Sequence, residues 1–354
     1  MNYLLTFDYE LFGDGSGDLF SDVINPMQNI LDICNSKNIK LTIFFEILEF
    51  IEIKKEWNKG NKMGYTNNPI ISIEKQLINA YENGHDIQLH LHPQWVDSIF
   101  EDGMWKLDMN NWRLGGYIAK KGISLVKLLQ KSKDELEKIV HKIDPKYSCI
   151  ALRAGAYNIM PSEDIYNAMK KVGLLVDSSI YPGGYENSSL SKYDYTNVDD
   201  KMDYWYANNI DMRLKSNFTN SIIEFPIFAT RVTRLRKFLN INQIILRLFK
   251  KRMKISANAK EKLNQTKISK IKYFFIKESF TWDVTVFSTL LHKKYFNYIK
   301  TNLNNRKYFV LIGHPKSLLN KKIFADFFSV CDKYDKNANF LTVVDLHKQI
   351  KNDN

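Results

Sequence analysis

Two pairs of side chains in this sequence have the types and spacing to hold a metal ion. The segment Thr6-Phe7-Asp8-Tyr9-Glu10 ends an apolar run. Residues at i and i+2 of a strand point to the same side, so Asp8 and Glu10 can face one pocket. His90-Leu91-His92-Pro93 repeats that spacing with two imidazoles, and Pro93 stops its strand. Two carboxylates and two histidines at the carboxyl ends of neighbouring parallel strands suit one divalent cation. A lone His-x-His is a weak signal, and the accompanying Asp-x-Glu strengthens it.

The elements that must position these residues are short apolar runs alternating with amphipathic stretches. Strands are expected at Tyr3 to Phe7, Leu41 to Phe45, Ile87 to Leu91, Cys149 to Leu152, Leu174 to Val176, Ile222 to Phe225, Phe309 to Ile312 and Phe340 to Val344. Their lack of strict alternation fits buried parallel strands. One apolar stripe runs through Ser124 to Ile143, and Ser162 can cap a helix that ends at Gly173. This alternation predicts an α/β barrel or a doubly wound sheet. The chain has 354 residues, 44% of them hydrophobic, enough for one large core with or without an insert. The three cysteines, Cys34, Cys149 and Cys331, form no CxxC pair, which argues against a thiolate metal site or a disulfide framework. The first ten residues lack the features of a secretory signal, and no long uncharged apolar run occurs, so a cytoplasmic protein is expected.

Charge is uneven. Residues 231 to 278 hold 15 Lys or Arg against two acids, Glu261 and Glu278, a net +13 where the whole chain carries +12. The remainder is therefore near −1. Leu235, Phe238, Leu239, Ile245, Phe249 and Met253 recur there at roughly helical spacing among the cations. This basic helical insert, about 230–280, can either lie on an anionic membrane surface or pack on the barrel with its charges in water. A nucleic-acid partner is not expected, because interleaved aromatics and a recognised motif are missing.

Six pieces in order resemble the NodB-type polysaccharide deacetylases. They are Thr6-Phe7-Asp8, the run Leu41 to Phe45, Gly84 through His90, Arg153-Ala154-Gly155-Ala156-Tyr157, Asp177-Ser178-Ser179-Ile180-Tyr181 and Gly313-His314-Pro315. The resemblance implies one catalytic domain over 1–354, a distorted (β/α) barrel of about seven parallel strands, and one divalent metal, usually zinc. It also implies an N-deacetylase acting on an amino-sugar glycan or a lipid-linked or activated sugar. Asp8 would be the base, His90 a metal ligand and His314 the general acid, with Arg153 and Asp177 orienting their neighbours. Tyr9 stands where the family commonly has a second aspartate, and Gln94 where it has a second histidine. Glu10 and His92 are the expected replacements, which leaves the roles of Asp8 and Glu10 interchangeable.

Tyr157, Tyr181, Trp95 and Trp112 are candidate substrate contacts, although loop tryptophans such as Trp95, Trp105 and Trp112 also serve simply as packing. Gly13, Gly15 and Gly17 read as a flexible loop beside the site. His85, His141, His292 and His347 read as structural. A different C–N hydrolase on the same fold, or a degenerate membrane-docked barrel, are the competing readings.

Overall fold

The structure is a computed structural model, and it describes residues 1–235, 240, 242 and 275–353. Seven parallel strands make its central sheet: β1 (Asn2–Tyr9), β2 (Thr42–Glu46), β3 (Asp86–Leu91), β4 (Ala151–Ala154), β5 (Val176–Asp177), β6 (Ile223–Glu224) and β7 (Tyr308–Gly313). Their spatial order is β6-β5-β4-β3-β2-β1-β7. Every residue of β2 and β3 is buried, as both-face coverage requires and as their unbroken apolar runs anticipate. The chain beyond β6 reaches across to β7 through the parallel bridge Ile227↔Val310, and Asp283↔Ile312 adds a second bridge. These contacts curl the sheet into a distorted barrel. Trp205–Tyr206 adds an antiparallel strand on β6, and Asn339–Phe340 a short parallel one on β1.

Inside the barrel Leu4, Phe44, Ala151, Val176, Ile223, Val310 and Ile312 form one apolar cluster. A larger cluster fills the space between the sheet and its helices. Helix Leu125–Val140 starts at Ser124, whose hydroxyl accepts from Lys127 N, and helix Glu163–Val172 ends on left-handed Gly173. Ser162 precedes that helix without capping it: its hydroxyl donates to Ile210 O and accepts from Met212 N, tying down a neighbouring loop. The run Phe340 to Val344 is not one strand. Thr342 and Asp345 form a capping box, so helix Val343–Asn352 begins three residues after the strand's last, Phe340. That helix plugs the amino-terminal end of the barrel, with Val343, Leu346 and Ile350 in the interior cluster.

The basic insert lies mostly outside the described residues. Its flanks form a two-stranded antiparallel ribbon, Ala229–Thr233 with Lys277–Thr281, where helix had been expected throughout. Among the described residues no helix is long and apolar enough to cross a membrane.

Candidate metal and catalytic site

The carboxyl ends of β1, β2 and β3 bring four buried side chains together. Glu10 follows β1, and its Oε2 lies 2.9 Å from His92 Nε2 and 3.4 Å from His90 Nε2. Its other oxygen accepts from Lys316 Nζ at 2.7 Å, and the same ammonium donates to Leu11 O at 2.7 Å. Burial opposes ionisation of Glu10, but Lys316, His92 and His90 hold its carboxyl well below the usual range. Burial likewise depresses the His92 pKa, against the pull of Glu10.

His90 Nδ1 sits 3.0 Å from the Arg153 carbonyl oxygen, a bond that only a protonated Nδ1 can make. Its Nε2 turns inward toward Glu10, and among the described residues that buried atom has no hydrogen-bond partner. Glu46, the last residue of β2, pairs in register with His90. Its Oε1 accepts from Leu48 N at 3.1 Å, and its buried Oε2 has no partner among the described residues. Ligand-capable atoms of Glu10, Glu46, His90 and His92 all lie within 4.8 Å of one another. Orphaned buried polar atoms are costly. Two of them inside a nest of carboxylates and imidazoles fit a divalent cation, for which these side chains are suitable donors.

The loop after β4 makes this convergence possible. Gly155 presses on His92 so closely that a Cβ there would stand 2.5 Å from the ring. Ala156 and Tyr157, the next residues, are both left-handed, with φ of 53° and 57°. Such strained backbone persists where surrounding contacts enforce it. Here it swings the Tyr157 hydroxyl to 3.1 Å from His314 Nε2.

A second group of charges adjoins the first. Arg153, fully buried, donates from Nη1 to Asp8 Oδ1 at 2.7 Å, from Nε to Ser178 O at 2.8 Å and from Nη2 to Ser178 Oγ at 3.1 Å. The guanidinium also stacks 4.1 Å above the Phe44 ring. Burial alone would raise the Asp8 pKa, but Arg153, with His90 and His314, brings it below the ordinary value. His314, after β7, bonds through Nδ1 to Asp283 Oδ2 at 3.0 Å, and its Nε2 lies 3.6 Å from Asp8 Oδ2. Burial works against charge on this imidazole. The Asp283 hydrogen bond and charge, aided by Asp8, outweigh it and raise the pKa. Asp283 is itself fixed, since its Oδ1 accepts from Thr285 N at 2.8 Å and Thr285 Oγ1 at 2.6 Å.

Of the residues singled out from sequence, Asp8, Glu10, His90, His92, Arg153 and His314 thus converge. Tyr157 touches His314, and Trp112 packs nearly perpendicular to His92 with ring centroids 5.9 Å apart. Tyr181 stands one ring further out, perpendicular to Tyr157 with centroids 5.8 Å apart and its hydroxyl bonded to Tyr193. Asp177 lies behind the site. Its carboxylate holds the Ser179 hydroxyl, which in turn accepts from Ala154 N, so it braces the loop rather than facing a substrate. Trp95 is a correction: it is 1% exposed and packs on Trp105 inside the core, offering no face to a sugar. The glycine loop is also more closely packed than its composition suggests, because Gly13 abuts Trp112 and Gly15 abuts Trp105. Trp105, Phe100 and Tyr65 line a cavity of about 460 Å³ beside that loop. His85 is structural as expected, its ring nitrogens engaged by Leu41 N and Asn35 Oδ1. Sequence reasoning missed Glu46, Asp283 and Lys316. Glu46 carried a usable signal, a carboxylate ending the strand between the two motif strands, whereas Asp283 and Lys316 carried none beyond nearness to the basic segment and to His314.

No family model matches the sequence, and no curated protein does. Solved structures do match in fold. One is a Mycobacterium smegmatis protein assigned as a polysaccharide deacetylase, with a TM-score of 0.50 at 11% identity over 99% of this chain and 90% of that one. An allantoinase gives a TM-score of 0.48 at 10% identity, over 98% of this chain and 89% of its own. A peptidoglycan N-acetylglucosamine deacetylase gives 0.34 at 11% identity, over 97% and 86%. The Mycobacterium smegmatis match shows a shared fold, the distorted barrel that the six sequence motifs implied.

Proposed function

We propose that this protein is a metal-dependent hydrolase that removes an N-acyl group, acetyl in the simplest case, from an amino sugar of a glycan, glycolipid or activated precursor. The observation that carries this reading is the juxtaposition of a buried Glu10–His90–His92 nest with a His314–Asp283 pair across Asp8. Glu10, His90 and His92 would hold the cation, zinc being the family's usual one. When bound, it supplies Lewis acidity toward the acyl carbonyl and the attacking water. Asp8, kept ionised by Arg153, is oriented to take the proton of that water. His314, whose protonated form Asp283 favours, would give a proton to the departing amine. Tyr157 steadies the proton-bearing edge of His314, and Trp112 and Tyr181 border the approach.

The positions of Asp8 and Glu10 support distinct roles for them, since Glu10 turns to the imidazole nest and Asp8 to Arg153 and His314. Metal analysis of the purified protein, combined with acetate release from N-acetylated amino-sugar substrates, tests the reading. One equivalent of divalent cation and metal-dependent release are expected, with His314→Ala keeping the metal and losing about 10²–10⁴ in turnover. A metal-free, inactive wild type refutes it, and turnover only of non-sugar amides moves the substrate to another C–N class. The charge of residues 231–278 supports a further part of the same proposal, that the enzyme works from the cytoplasm at an anionic membrane bearing its substrate. Salt-sensitive binding to anionic vesicles, weakened by Lys250→Gln, Lys251→Gln and Arg252→Gln together, checks that part.

A further inference from the structure

We infer that Glu46 is a fourth protein ligand of the metal, making a two-histidine, two-carboxylate centre that works with a cation taking five or six ligands, such as Mn²⁺, Fe²⁺ or Co²⁺. This rests on the reading that Glu10, His90 and His92 hold a metal.

Glu10, His90 and Glu46 each tether one polar atom to the scaffold and turn the other inward. Glu10 gives Oε1 to Lys316, His90 gives Nδ1 to the Arg153 carbonyl, and Glu46 gives Oε1 to Leu48 N at the start of helix Ile47–Asn58. The inward atoms that remain are Glu10 Oε2, His90 Nε2 and Glu46 Oε2. Tethering of this kind fixes ligand orientation in metal sites. Glu46 is 1% exposed, yet among the described residues no hydrogen bond or ion pair meets its inward oxygen. A buried carboxyl oxygen left unpaired in that way is costly, and a cation seated among these four side chains would satisfy it. Glu49, the neighbouring acid on the same helix, does not share the site, because both its oxygens accept from Leu11 N.

The coordination number follows. A catalytic zinc site commonly has three protein ligands and leaves the fourth position open for water or substrate. Four protein ligands would close a four-coordinate ion to substrate. A cation held by all four would need a larger shell to admit substrate, and mixed imidazole and carboxylate donors suit metals that have one.

Cobalt-loaded protein tests this with spectra as well as activity. Wild type is expected to bind one Co²⁺ and to show the weak visible bands of a five- or six-coordinate ion. Glu46→Gln should lose more than the roughly 10–100-fold in affinity that removal of an outer partner costs, and should shift toward the intense bands of lower coordination. Glu46→Asp, which keeps the charge but withdraws the oxygen, should fall between them. Cobalt K-edge absorption of wild type gives the coordination number with no variant, so a poorly folded mutant does not shield the idea. Equal affinity and identical spectra for wild type and Glu46→Gln overturn the Glu46 assignment alone, as does four-coordinate wild-type cobalt for the expanded shell. Failure of wild type to bind any divalent cation overturns the metal reading of the site as a whole.

Discussion

Replacing Gly155 by alanine should empty the metal site while leaving the barrel folded. Gly155 has a φ outside the left-handed region, so alanine adopts its backbone without strain and the effect is steric. The added Cβ would lie 2.5 Å from His92 Cγ and Nδ1 and 2.7 Å from Cδ2. Ordinary carbon contacts are about 3.5–4.0 Å, so the ring must retreat by about 1 Å. It has little room to do so, because the His90 ring lies 5.0 Å away between centroids, the Trp112 ring 5.9 Å away, and the Gln94 amide 3.2 Å from Nδ1. Retreat would carry His92 Nε2 away from Glu10 Oε2, now 2.9 Å distant. Sites need their ligands within about 0.5 Å of the working geometry, and a misplacement of about 1 Å can cost about 10²-fold in rate. Overpacking of this kind costs about 1–3 kcal/mol in stability, which a domain of this size survives. Thermal melts, metal stoichiometry and turnover should be measured on the same preparation. A folded Gly155→Ala protein with full metal content and wild-type turnover would show that the close approach to His92 is incidental.

Asp283→Asn should keep the metal and lower turnover about 10- to 100-fold, the value of one charge-assisted hydrogen bond of about 1.5–3 kcal/mol. Because Asp283 raises the His314 pKa, the basic limb of the pH–rate profile should move to lower pH, and an unmoved limb would contradict the assignment. Arg153→Met strands the Asp8 carboxylate in the core and should destabilise by about 3–5 kcal/mol, read as a lower denaturant midpoint. A midpoint equal to wild type would mean that Asp8 finds another partner. His292 is buried and accepts from Trp282 Nε1, and burial pushes its pKa down to about 3 from 6.5. As pH falls below 6.5 the unfolded chain takes up this proton and the native one does not, so stability is lost between pH 6.5 and about 3. At pH 5 that amounts to about 2 kcal/mol, and His292→Gln should remove this part of the acid lability in urea titrations at pH 7 and 5.

What could be read along the chain was whatever depends on local spacing. The i, i+2 pairs at Asp8/Glu10 and His90/His92 declare their shared side from strand geometry alone, and the structure turns both imidazoles to Glu10. Seven of the eight expected strands pair in the parallel sheet, with edges displaced by a residue or two, since unbroken apolar runs are a local property of doubly covered strands. The eighth expectation failed at Thr342, where a capping box overrode the apolar Val343-Val344. Partnership across the fold could not be read. Lys316 meets Glu10 from 306 residues away and Arg153 meets Asp8 from 145. Nothing in either neighbourhood specifies the other. The same holds for Asp283 against His314, for the burial of Trp95, and for Gly155, whose demand for no side chain exists only because His92 arrives from another strand. The residue types and the strands that carry them are set by local steric and hydrophobic rules. Which tethered atom faces which orphaned one is decided only when the barrel closes and water leaves the site.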